Sequence, residues 1–164
     1  MNSKKLSWLA MFMAMSAAGA SLKIPAIVGS VALDSFPALV AAILLGLGPG
    51  IIVAGFGHLL SALIGGMPLG PFHLIIAIEM ALLVWLFGML YQKGKWLSAS
   101  VSFILGNAFA APLPFFFLMG QPFYTAIVSS LLIGSILNTG LAILAIPRLQ
   151  SIFFGNLRKK EVRR

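Results

Sequence analysis

Long apolar runs, separated by short groups of glycine, proline and charged residues, divide this chain of 164 residues. A helix needs about 20 mainly apolar residues to cross the roughly 30 Å hydrocarbon core of a bilayer. The breaks predict six membrane-spanning helices, the second of them short, at about 6–22, 34–47, 50–66, 72–91, 97–118 and 123–146. The pattern therefore predicts an all-α integral membrane bundle, a single domain over residues 1–164 with a basic tail at 147–164.

Composition supports the membrane assignment and narrows the chemistry. Hydrophobic residues make up 60% of the chain and charged residues 9%, whereas a soluble domain of this size needs a more polar exterior. The sequence has no cysteine, which excludes disulfides, thiolate metal ligands and cysteine nucleophiles. It also lacks a Walker A motif, HExxH and GxSxG, so we predict that the chain is not an enzyme and binds no metal or cofactor itself.

The basic residues orient the predicted bundle. With six spans and a cytoplasmic N-terminus, ten of the eleven Lys and Arg residues fall on the cytoplasmic side, and Lys23 alone lies outside. Such a bias follows the positive-inside rule. It predicts cytoplasmic termini and a tail that contacts anionic lipid rather than nucleic acid.

The first apolar run has two interpretations. Lys4 and Lys5, the following apolar residues and Ala18-Gly19-Ala20 together resemble a secretory signal peptide with its cleavage site. The same segment also fits a permanent first helix with a face of small residues. The charge bias does not exclude cleavage, because five remaining spans would still place the later basic segments inside. We favour the uncleaved helix.

The small residues on the first helix are spaced as in a known family of membrane proteins. Ala10, Ala14 and Ala18 recur every four residues and form one stripe, which allows either packing inside the bundle or close approach of another helix. A six-helix hydrophobic protein of this size with an AxxxAxxxA stripe resembles the substrate-binding S components of energy-coupling factor (ECF) vitamin transporters. The resemblance implies that the stripe docks on a transmembrane coupling subunit, which sits on two ABC ATPases that hydrolyse ATP.

Further motifs are similar to one type of S component. They are Lys23-Ile-Pro25, Gly29-Ser-Val-Ala-Leu-Asp-Ser35, Gly57-His-Leu-Leu-Ser-Ala62, Pro68-Leu-Gly70 and His73. This set is similar to the CblT type, which is assigned to α-ribazole or dimethylbenzimidazole, precursors of the lower ligand of cobalamin. The resemblance implies a subunit that binds such a precursor with high affinity for import.

Polar groups within apolar spans predict where a ligand binds, because they are costly in a membrane and tend to face the bundle interior. Asp34 pairs with Lys23 across the first outer loop, caps the second helix or contacts the ligand, and the last two roles are compatible. His73 and Glu79 are six residues apart, about 600° around a helix, so they are predicted to point to different sides. Glu79 is the best candidate, since it is the only acid well inside a span. The predicted substrate-binding residues are Lys23, Asp34, His58, His73, Glu79, Asn107 and Asn138.

The sequence leaves three alternative functions open. The chain could be an S component for another water-soluble vitamin. It could be a small proton-coupled secondary transporter, with Glu79 carrying the proton, although no three-plus-three internal repeat is evident. It could also be a structural membrane protein in which the polar residues serve only helix packing.

Overall fold

The computed structural model describes residues 3–22, 24–25 and 30–161. These residues form helices joined by short loops, with one small ribbon in which β1 (Ile24–Pro25) pairs antiparallel with β2 (Ser30–Val31). The helices are α1 (Ser3–Ser21), α2 (Phe36–Leu44), α3 (Leu47–Ile64), α4 (His73–Gln92), α5 (Trp96–Leu105), α6 (Leu113–Met119) and α7 (Gln121–Glu161). A 3-10 turn, Gly70–Phe72, leads into α4, and a π-helical turn, Gly106–Ala110, follows α5.

Four helical units are long and apolar enough to cross a membrane among the described residues. They are Leu47–Ile64, Gly70–Gln92, Trp96–Met119 and the first 31 residues of α7, Gln121–Ser151. Helix α4 shows why only a lipid environment suits them. Its buried face carries Met80 and Val84, yet Ile78 and Leu82 on the other side are also exposed and apolar. A helix that is apolar all round and still exposed belongs in a bilayer.

The first two predicted spans differ from this group. Helix α1 has 19 residues, but its first turns contain Lys4 and Lys5, and its hydropathy falls below that of the four units. Helix α2 has only nine residues, which rise about 14 Å. The predicted span 34–47 is therefore corrected to a half-length helix, because Ser35 and Gly46 bound a segment too short to cross the bilayer.

Helix α2 forms the centre of the bundle. Every residue from Pro37 to Leu44 is buried, and α1, α3, α4 and α7 all pack around it. The reason lies in its sequence, Phe-Pro-Ala-Leu-Val-Ala-Ala-Ile-Leu, which is apolar on every face and small on several. Small side chains also let neighbouring helices approach closely. A Cβ added to Gly50 of α3 would lie only 2.5 Å from the Ala42 Cβ.

Helix α1 packs against the bundle with a face that does not include the alanine stripe. Its buried residues are Leu9, Phe12, Ser16, Gly19 and Ala20. The stripe residues Ala10, Ala14 and Ala18 are all exposed. The interpretation that this stripe packs inside the bundle is therefore wrong. Other small residues let α1 approach α3 closely, since a Cβ on Gly57 would lie 2.9 Å from Ser16.

Helix α7 extends beyond the predicted end of the last span. The sequence predicted a break near 146, yet α7 continues through Pro147 to Glu161. Proline removes one backbone donor from the helix interior. In the same turn, the Arg148 guanidinium donates to the Leu144 carbonyl at 3.0 Å. The predicted tail at 147–164 therefore begins as a continuation of the helix.

Candidate functional site

A cavity of about 500 Å³ lies inside the bundle, bounded by α3, α4, α6, α7 and the segment that precedes α2. Six of the seven predicted substrate-binding residues line it, although they come from distant parts of the sequence: Asp34, His58, His73, Glu79, Asn107 and Asn138. The seventh, Lys23, lies outside the described residues. The structure thus brings the described members of the predicted set to one place.

Two histidines meet at one wall. His58 on α3 and His73 at the start of α4 place Nε2 and Nδ1 3.1 Å apart, with ring centroids 5.3 Å apart. The Leu69 backbone N–H donates to Nε2 of His73 at 3.4 Å. Since a backbone N–H can only donate, Nε2 of His73 is an acceptor and its Nδ1 carries the proton. His73 therefore donates to Nε2 of His58, which leaves His58 with its own proton on Nδ1.

Glu79 lies on the same helix as His73 and also lines the cavity. The predicted separation of 600° leaves the side chains about 120° apart around α4, and the cavity is wide enough to contact both. Glu79 Oε2 is buried and has no hydrogen-bond partner within the described ranges.

Asn138 lines the cavity and bonds the backbone at the start of α2. From α7, its Oδ1 accepts from the Phe36 N–H at 2.7 Å, and its Nδ2 donates to the Ala32 carbonyl at 2.9 Å. Nδ2 also donates to the Gly134 carbonyl at 2.9 Å within α7. These bonds occupy both amide hydrogens and one oxygen lone pair, so Asn138 positions the start of α2.

Asp34 lies beside the start of α2 but does not cap the helix. The residue at the N-terminal boundary of α2 is Ser35, and its side chain makes no capping bond to the helix. Instead Ser35 Oγ donates to Asp34 Oδ1 at 3.1 Å. The expectation that Asp34 caps α2 is wrong, because Asn138 satisfies the first backbone donor from across the bundle. Asp34 lines the cavity close to the N-terminal end of α2.

A π-helical turn places the other asparagine. The Ala111 N–H bonds to the Gly106 carbonyl at 2.8 Å, five residues back, which widens the helix at this point. Asn107 lies in this turn, and its Nδ2 donates to Ser135 Oγ on α7 at 2.8 Å. The Tyr124 hydroxyl donates to the Phe109 carbonyl at 3.1 Å, which satisfies an acceptor in the widened turn.

Aromatic rings form the apolar side of the cavity. Phe115 and Phe123 line it, and their ring centroids are 6.2 Å apart. Phe115 also makes an edge-to-face contact with Phe72, at 6.0 Å. Phe115 is 2% exposed, whereas its neighbour Phe117 is 83% exposed. The run of three phenylalanines thus has one inward-facing member, which the sequence alone did not distinguish.

Comparison with known protein families gives one match that covers most of the chain. Residues 4–157 match the family described as the substrate-specific component of ECF transporters. The chain belongs to this family. The resemblance seen in the sequence is therefore confirmed at the level of the family. A comparison with curated proteins found no match.

Family membership assigns the general role of the chain. As an S component it is a substrate-specific, membrane-embedded subunit and not an enzyme, and it functions together with the ECF coupling and ATPase module. Within the described part of the chain, no group of three or more His, Cys, Asp or Glu side chains could hold a metal ion.

The cavity of this S component has a distinct electrostatic character. Two carboxyl groups, Asp34 and Glu79, and two imidazoles line it, together with serines such as Ser61 and Ser130. Among the described residues, no Lys or Arg contributes to the lining. Such a surface favours ligands that are neutral or cationic, because an anion would find no opposite charge there.

Proposed function

We propose that this S component binds α-ribazole or dimethylbenzimidazole in the cavity and delivers it for import into a prokaryotic cell. The observation that carries the proposal is the convergence of Asp34, His58, His73, Glu79 and Asn107 on one cavity between α3, α4 and α7. Its volume, about 500 Å³, lies within the range of small-molecule sites, roughly 300–1,000 Å³.

The chemistry of the cavity supports a neutral ligand with an aromatic ring. Phe115 and Phe123 provide surfaces for ring faces, while the carboxyl and imidazole groups provide partners for ring nitrogens and sugar hydroxyls. A multiply phosphorylated ligand would bring negative charge toward Asp34 and Glu79, which is unfavourable. The motifs similar to the CblT type narrow the neutral candidates to α-ribazole and its base.

Calorimetry of the purified protein against a panel of water-soluble vitamins tests this proposal. We expect α-ribazole or dimethylbenzimidazole to bind most tightly, and phosphorylated α-ribazole to bind more weakly than the unphosphorylated compound. Tight binding of a different vitamin would overturn the substrate while leaving the family assignment in place. Binding by the isolated chain, without ATPases or ATP, is expected because the cavity is built by this chain alone.

We also propose that the exposed stripe of α1 docks on the coupling subunit. Ala10, Ala14 and Ala18 form a strip of small side chains on the side of α1 that is turned away from the bundle. Small residues allow two helix backbones to approach closely in a membrane, where packing rather than hydrophobic burial drives association. The two ATPases would then act on this chain through the coupling subunit.

For topology, we propose six crossings with both termini in the cytoplasm. The short helix α2 and the segment before it would together make the second crossing, since α1 and α3 are joined through them. Non-helical backbone at membrane depth is tolerated where protein surrounds it or a cavity adjoins it. Residues 32–35 fit this condition, because Asn138 bonds this segment and Asp34 lines the cavity.

A further inference from the structure

Glu79 differs from the other polar side chains of the cavity. His58, His73, Asn107, Asn138 and Asp34 each have a hydrogen-bond partner in the structure. Glu79 Oε2 is buried without one, as far as the described residues extend. A buried polar atom without a partner destabilises the structure, and does so more strongly if it carries charge. Such an atom in a ligand cavity indicates where a partner is supplied from outside the chain.

The groups around Glu79 limit what that partner can be. The other titratable side chains that face the cavity are Asp34 before α2, His58 on α3 and His73 on α4. The imidazoles are engaged with each other and with the Leu69 N–H. Because no Lys or Arg of the described lining can neutralise Glu79, its charge must be balanced by a proton or by the ligand.

We propose, resting on the proposed function, that Glu79 and an sp² ring nitrogen of the ligand share one proton, so that this carboxyl group selects ligands with a basic ring nitrogen. The proton lies between a Glu79 oxygen and the nitrogen lone pair, either as O–H···N or as O⁻···H–N⁺. In both forms the pair holds a single proton, and no covalent bond is made or broken beyond its transfer. Glu79 is then the residue that determines specificity for the heteroaromatic base.

The proposal predicts a particular dependence on pH. α-Ribazole carries its sugar on one ring nitrogen, so the other has a lone pair and no N–H. When neither Glu79 nor the ligand carries the proton, the Glu79 oxygen faces that lone pair and repels it, so binding has to take up one proton from solution. Affinity should then fall by up to about tenfold for each pH unit, since one unit corresponds to about 1.36 kcal/mol.

The Glu79→Gln variant separates the contribution of Glu79 from those of its neighbours. It leaves Asp34 and the hydrogen bond between His58 and His73 in place, so a pH dependence that came from these groups would persist in the variant.

The experiment is calorimetric titration of the purified protein with α-ribazole from neutral to alkaline pH, in the parent and in Glu79→Gln. We expect affinity to fall with rising pH in the parent. In the variant we expect an affinity that is lower at neutral pH and does not change with pH, because glutamine donates to the nitrogen without titrating. An analogue series that does not depend on any variant repeats the test on the parent protein. N-methylated dimethylbenzimidazole should show the alkaline fall, and N-methylated dimethylindole, which lacks the basic nitrogen, should bind weakly with no such fall.

The outcomes separate this inference from the function on which it rests. A flat profile for α-ribazole in the parent, or an alkaline fall that persists in Glu79→Gln, overturns the shared proton while α-ribazole remains the substrate. Equal affinity for the two N-methylated analogues also overturns it. Failure of both α-ribazole and dimethylbenzimidazole to bind the parent would overturn the proposed substrate and the inference together.

Discussion

Replacing Asn138 by alanine removes the side chain that joins α7 to the start of α2. The change leaves the Phe36 N–H and the Ala32 carbonyl without their partners, while the Gly134 carbonyl keeps access to its helical bond. Each orphaned buried group costs roughly 1–3 kcal/mol in soluble proteins. Hydrogen bonds between membrane helices average only about 0.6 kcal/mol, because the unfolded chain in a membrane also finds partners. For two groups we therefore expect a loss of about 1–3 kcal/mol.

The free energy of unfolding, measured in mixed micelles with a denaturant, checks this expectation. Thr139→Val is a matched control, because Thr139 is adjacent, 2% exposed, and its Oγ1 has no hydrogen-bond partner among the described residues. That change should be neutral or stabilising, since it removes an unsatisfied hydroxyl without changing the shape. Asn138→Ala should also weaken ligand binding, because the start of α2 adjoins the cavity. An alanine variant as stable as the valine control would refute the structural role given to Asn138.

Four further predictions follow from the packing and the cavity. At neutral pH, Glu79→Gln should weaken α-ribazole binding roughly tenfold. The variant keeps a neutral hydrogen bond, worth about 0.5–1.5 kcal/mol, in place of one to a charged group, worth about 1.5–3 kcal/mol. Unchanged affinity by calorimetry would remove Glu79 from the site. Ala14→Trp or Ala18→Trp should abolish uptake in cells with binding intact. Met15→Trp, on an exposed position about 100° around α1 from Ala14, should retain uptake. Equal loss of binding and uptake would contradict the docking surface. Gly57→Ala should destabilise the protein by about 1–3 kcal/mol, because the new Cβ would lie 2.9 Å from Ser16. Adding Ser16→Gly removes the side chain that the new Cβ contacts, so the double variant should regain stability. Cysteines introduced at positions 3, 94 and 160 should resist an impermeant thiol reagent in intact cells, and labelling at 94 would overturn the proposed topology.

The sequence predicted the long helices well, because their limits are marked by local signals. Gly65 and Gly66 end α3, and Lys93 to Lys95 separate α4 from α5, so hydropathy and turn residues were sufficient. Helix α2 was overestimated, since its apolar composition is that of a span and only its length is not. The π-helical turn was not foreseen, because it depends on the backbone around Gly106 and Pro112 rather than on a residue pattern.

The sequence predicted which residues line the cavity, but not the contacts that each of them makes. Polarity within an apolar span identified His58 and Glu79, since such residues are costly unless they face a cavity. Their partners depend on tertiary structure. His58 meets His73 only because the turn between α3 and α4 folds the two helices together, and Asn138 reaches Phe36 across 102 positions of the chain. Phe123 carried no signal that separated it from a lipid-facing residue.

The bond between Asn138 and Phe36 has a consequence for biosynthesis. Helix α2 emerges from the ribosome early, while the residue that satisfies its first backbone donor belongs to α7, which is made after the other described helices. Until α7 has been inserted, the Phe36 N–H and the Ala32 carbonyl lack the partner that Asn138 provides, and lipid cannot replace it. We therefore expect nascent chains that end before α7 to keep α2 outside the hydrocarbon core, so that insertion of α7 completes the second crossing and the substrate cavity in one step.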